Sequence, residues 1–142
     1  MGKKAILWGV IINTALFSAC IPLTRPTEEG LRKKVEYVWQ QRLKGNWGAT
    51  WDVLCPEFKK GISRDVFGRG SAPVREYEIL SIEISPDERR AKVKLSMTVE
   101  HMGFKFKGIP TEEEWLFENG EWCLVLKPPK PPFGSTKPSP PQ

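Results

Sequence analysis

The chain is poor in the residues that build metal and acid–base centres. It has one histidine, His101, and three cysteines, Cys20, Cys55 and Cys123. No two cysteines stand in C-x-x-C spacing, whereas a structural zinc site draws four Cys or His ligands from close spacings. Metal binding is therefore not expected, and no cofactor is implied. Tyr37 and Tyr77 are the only tyrosines. No apolar run reaches the roughly 20 residues that a spanning helix needs; Ala5 to Phe17 falls short and contains Asn13. A basic face is also missing, although the formal charge is +5. Lys3 and Lys4 lie at the N-terminus, and Lys127, Lys130 and Lys137 lie in a C-terminal stretch without acids. Between them basic and acidic side chains balance at 17 each. Nucleic-acid binding, whose footprint is a basic patch on a folded face, is not expected.

What is present begins with three-part anatomy at the N-terminus. Lys3 and Lys4 are a positive start, Ala5 to Phe17 is mostly apolar, and the small residues Ser18 and Ala19 precede Cys20. This is the layout of a secretory signal. Leu16-Phe17-Ser18-Ala19-Cys20 resembles the cleavage box of bacterial lipoproteins, with Phe17 where that family prefers Leu. The resemblance implies removal of residues 1–19 and lipidation of Cys20 by diacylglycerol and further acyl chains such as palmitate. Two or three chains anchor stably where one anchors marginally. Residues 20–27 would then be a lipidated tether, stiffened by Pro22 and Pro26. The expected location is the bacterial cell envelope, on the periplasmic side. Ile21 is not the Asp that retains some lipoproteins at the inner membrane, so in a Gram-negative host the expectation is the outer membrane.

Downstream, Thr27 can cap a helix whose first turn holds Glu28 and Glu29. Leu31, Val35, Val38, Trp39 and Leu43 form one apolar stripe, and Gly45 is a natural stop. A second short helix carries Trp47, Thr50, Trp51 and Leu54 and ends at Pro56. Phe58 follows in a loop, and Ser63 caps a third segment over Arg64 to Phe67. From Val74 the period becomes two. Strands are expected over Val74 to Ile84 and Ala91 to His101, with a turn at Met102-Gly103. A short strand from Phe104 to Gly108 should be broken at Pro110. Thr111 to Glu118 and Glu121 to Leu126 form a hairpin on the type I′ turn Asn119-Gly120. Its register pairs Phe117 with Trp122, Leu116 with Cys123 and Trp115 with Leu124. Trp115, Phe117, Trp122 and Leu124 then share the face that meets the helices. Leu116, Cys123 and Val125 share the open face. Seven of the last 16 residues are proline, so residues 127–142 read as an extended, disordered tail.

Helices followed by an antiparallel meander resemble the NTF2-like (cystatin-like) superfamily. The matching stretches are Trp39 to Gly48, Thr50-Trp51-Asp52-Val53-Leu54, Pro56-Glu57-Phe58, Ile62-Ser63-Arg64-Asp65 and Glu114-Trp115-Leu116-Phe117 with Asn119-Gly120-Glu121-Trp122. The resemblance spans residues 28–126. It implies an α+β fold with N-terminal helices packed on a curved antiparallel sheet, a cone closing over a pocket. Trp39, Trp51, Trp115 and Trp122 could line that pocket for a small apolar ligand or fill the core. Enzymes of the superfamily use a pocket Asp or His as base, which makes Asp52 and His101 the acid–base candidates. Both are weak: Asp52 falls off the apolar stripe, and the adjacent Glu100 points to the other strand face from His101. The expected function is a membrane-anchored, non-catalytic ligand- or protein-binding accessory of the envelope, with a tethered isomerase or dehydratase as the alternative. An envelope protein is one expected partner. A second copy docking on the open sheet face is another. The register places Cys123 away from the helices, which argues against a Cys55–Cys123 disulfide.

Overall fold

The structure, a computed structural model, describes residues 25–127. Cys20, the signal segment and residues 128–142 of the tail lie outside the described residues. Helix α1 spans Glu28–Leu43, and the Gly30 N–H donates to Thr27 Oγ1 at 3.0 Å, capping it as expected. Its buried stripe is Leu31, Val35, Val38, Trp39 and Arg42. The sequence stripe ended on Leu43 instead, which is exposed. Arg42 takes the buried position because it finds a carboxylate there. Gly45 ends the helix at φ 74°, a left-handed position that glycine adopts without steric cost.

Two short helices follow, α2 over Gly48–Asp52 and α3 over Pro56–Lys59. Proline at the first position of α3 starts this helix, because its missing N–H would have had no intrahelical partner. The third helical segment thus lies around Phe58, and the expected one at Arg64 to Phe67 is a run of turns.

The sheet is a four-stranded antiparallel meander in the order β1-β2-β3-β4. Strand β1 is Val74–Ile84, β2 is Arg90–His101, β3 is Phe104–Glu118 and β4 is Glu121–Val125. The β3–β4 register matches the expected pairing, Phe117 with Trp122 and Leu116 with Cys123. Asn119 and Gly120 both have positive φ, at 53° and 81°, as a type I′ turn requires. Strand β3 is not broken at Pro110. It runs on because β4 pairs only Glu114 to Glu118, leaving Pro110 on a free edge, where a missing N–H costs no ladder bond. The extra residue is absorbed at Gly108, φ 69°, opposite the register shift between Met97 and Val99.

The NTF2-like cone is not formed. Among the described residues, one long helix lies on a four-stranded meander, beside two short helices of five and four residues. The space a cone would keep open is filled by Leu31, Val35, Val38, Trp39, Leu54, Val93, Leu95, Trp115, Trp122 and Leu124. Of the stretches that carried the resemblance, Trp39, Leu54, Trp115 and Trp122 serve this core. No helix among the described residues is long and apolar enough to cross a membrane.

Candidate binding surface

The four tryptophans do not surround a cleft. Trp39, Trp115 and Trp122 are buried in the core. Trp51 is half-buried beside it, donating from Nε1 to the Ile62 carbonyl at 2.7 Å, with Lys59 Nζ 4.9 Å above its ring. Trp122 borders a small open cleft with Lys34, Asp52 and Glu118, of about 180 Å³. That is below the usual size of a ligand pocket.

The two acid–base candidates are held apart. Asp52 is half-exposed and receives two hydrogen bonds from Arg64, at 2.8 and 2.9 Å. These bonds, with the nearby charge, hold its carboxyl below the usual range. A carboxylate so paired is a poor base. His101 is exposed at the far end of β2, opposite Phe104.

Sequence reading missed a buried polar knot. Arg42 Nη1 lies 2.7 Å from Glu113 Oε1, with both side chains buried, at 8% and 7% exposure. Arg42 Nε donates to Thr50 Oγ1 at 3.0 Å, and Trp115 Nε1 donates to Glu113 Oε2 at 3.2 Å. The guanidinium also stacks 4.5 Å from the Trp39 ring. The knot joins α1, α2 and β3 in one hydrogen-bonded, largely buried set. It is a structural device. The indole N–H groups of Trp39 and Trp122, by contrast, are buried with no acceptor.

Cys55 and Cys123 are joined by a disulfide, with Cα atoms 4.8 Å apart. The expectation against it set Cys55 with the helices, on the side that Cys123 faces away from. Instead, residues 53–55 run beside β4: Cys55 N–H donates to the Leu124 carbonyl at 3.0 Å, and Leu124 N–H to the Val53 carbonyl at 2.8 Å. That places Cys55 next to Cys123 across neighbouring backbones. Glu118 approaches Cys123 Sγ at 3.9 Å. Cys55, Cys123 and Glu118 form a cluster of metal-ligating atoms, but the S–S bond removes the thiolates a metal would use. With Cys123 committed, the open-face strip reduces to Leu116 and Val125, both half-covered.

Three large apolar side chains are exposed together at the β2–β3 tip. Met102 is 84% exposed, Phe104 69% and Phe106 50%. Met102 and Gly103, φ 50° and 80°, make the turn. Val99 pairs with Phe106 and His101 with Phe104, so these four share one face. That face continues the Ala91, Val93, Leu95 row of β2, which the core covers. Past Val99 no layer lies over it. The sequence did show the alternation Phe104-Lys105-Phe106-Lys107, but a strand assigned as a separate short piece hid its length.

No family model matches the chain, and no curated protein does. Among solved structures, the chain is similar to a SEC-C motif containing protein from Rhodopseudomonas palustris, determined in solution. The TM-score is 0.55 at 11% identity, over 66% of this chain and 73% of that one. At that identity the likeness shows the fold alone: a meander with a packed helix, and no cone.

Proposed function

We propose that the chain is a membrane-anchored extracytoplasmic lipoprotein that serves the cell envelope as a non-catalytic binding accessory. The observation that carries this reading is the Cys55–Cys123 disulfide. Disulfides form and persist in oxidising compartments and are rare in the cytosol. A disulfide fits a domain exported behind the signal-like segment that ends at Cys20. The separation of Asp52 from His101 and the filled core favour binding by an outer surface over chemistry in a pocket. The β2–β3 tip is the surface on which binding would occur.

The test is labelling of the host cells with radioactive palmitate. Wild-type chain should take up label and sediment with membranes, and Cys20→Ser should take up none and keep its signal. Thiol alkylation of the mature protein should show no free thiol at Cys55 or Cys123 until a reductant is added. Unlabelled wild-type protein would refute the anchor, and freely alkylated cysteines would refute the compartment.

A further inference from the structure

We infer that the β2–β3 hairpin tip is a second membrane contact, which inserts Met102, Phe104 and Phe106 at an anionic lipid surface. The inference deepens the reading above and takes its orientation from the lipid anchor proposed there. In a meander, the β1–β2 and β3–β4 turns share one end of the sheet and the β2–β3 turn has the other. Pro26, at the end of the tether, lines a groove with Asp87, Arg89, Phe117 and Asn119. The tether thus enters at the end opposite the tip. Strand β2 has 12 residues, which puts the tip about 40 Å away. Residues 20–26 span at most about 25 Å, so with the strands tilted toward the surface both ends of the domain can reach the lipid.

The chemistry of the tip suits that surface. From His101 to Thr111 there is no acid, and Lys105 and Lys107 alternate with the two phenylalanines. The nearest acid, Glu100, is held by Arg75 at 2.8 Å. Aromatic rings with flanking lysines fit the boundary between headgroups and acyl chains. Beyond Val99, where β1 ends, the tip is two-stranded, with Phe104 and Phe106 on the face that the core covers further along and Lys105 on the other. A bilayer yields around exposed side chains without needing a matching groove. Recruitment of a partner strand is opposed by the bulge at Gly108 and by Pro110 on the free edge. The anchored end holds the tip at high local concentration over the same membrane, so a weak contact suffices.

The experiment is co-sedimentation of the unlipidated chain 21–142 with vesicles. Its entire core and disulfide lie between Leu31 and Leu124. Vesicles of phosphatidylcholine with phosphatidylglycerol are compared with phosphatidylcholine alone. The chain should bind the anionic vesicles and much less the neutral ones. Phe104→Ser with Phe106→Ser should weaken binding about tenfold or more. Lys105→Gln with Lys107→Gln should weaken it about fivefold per lysine. Leu80→Ser, an exposed apolar site on β1 away from the tip, should leave it unchanged. Absence of binding to either vesicle overturns the inference, and so does equal binding by the Phe104→Ser/Phe106→Ser variant. A dimer abolished by that variant without vesicle binding also overturns it, in favour of a second copy as the occupant. None of these outcomes depends on Cys20, so the palmitate experiment fails or succeeds separately.

Discussion

Breaking the Arg42–Glu113 pair should reveal how strongly a buried charge depends on its partner. In Glu113→Leu, the Arg42 guanidinium stays buried with Thr50 Oγ1 as its remaining hydrogen-bond acceptor. Trp115 Nε1 also loses its acceptor. Removing one member of a buried pair costs about 3–5 kcal/mol, a large share of the roughly 5–15 kcal/mol that holds a domain together. Arg42→Met should cost a similar amount, since it strands the Glu113 carboxylate. The double variant Arg42→Met/Glu113→Leu leaves no stranded charge. It still leaves the Thr50 hydroxyl and the Trp115 indole each short of one bond, at about 1 kcal/mol apiece. The double variant should therefore cost about 2 kcal/mol, well below the sum of the singles, with a coupling of about 4 kcal/mol or more. Urea unfolding of the four proteins at neutral pH measures the cycle. Because a single variant could unfold outright, Glu113→Gln supplies a milder arm that keeps one acceptor oxygen. Single variants costing less than about 1 kcal/mol, or a double variant equal to the sum, would falsify the claim that this pair is desolvated and mutually dependent.

Three further outcomes are expected. The disulfide closes a loop with a sequence separation of 68, which corresponds to about 4 kcal/mol of chain entropy; urea unfolding with and without reductant should differ by that order, and identical midpoints would contradict it. Gly68→Ala should destabilise the loop, because φ is 78° and the new Cβ would lie 2.4 Å from Trp47 Cβ; an unchanged melting temperature would show that the loop can move aside. Asp52 should titrate below the ordinary carboxylate range and return toward it in Arg64→Gln, as followed by carbon NMR. Since that pKa is depressed, the stability it supplies is present above the unfolded value and lost as pH falls through the folded one; for this half-exposed pair it should stay below about 1 kcal/mol.

The features legible in the sequence were those with local causes. Thr27 caps α1, Asn119-Gly120 turns the hairpin, and its two-residue loop fixes the pairing of Trp115 with Leu124. Arg42 could not be read as buried, because the carboxylate that makes burial tolerable lies 71 residues away. The disulfide was hidden for a related reason: Leu54 bridges Leu124, a long-range pairing that no local pattern around Cys55 announces. The cone failed as an inference because apolar residues at Trp39, Trp51 and Trp122 satisfy a filled core as readily as a lined pocket. The tip was half legible, since alternation of Phe and Lys marks a strand but not the absence of a layer above it.

The Cys55–Cys123 bond also governs how the domain would respond to force. It turns residues 55–123 into a covalent ring, with α1 on one arm and the end of β4 and the tail on the other. Tension applied between the two ends of the chain passes from Cys55 directly to Cys123 and bypasses β1, β2 and β3. About 240 Å of contour is thereby withheld from stretching, at about 3.6 Å for each of the 68 intervening steps. A molecule pulled from both ends could lose α1 and still keep most of its sheet within a closed loop, off the line of tension.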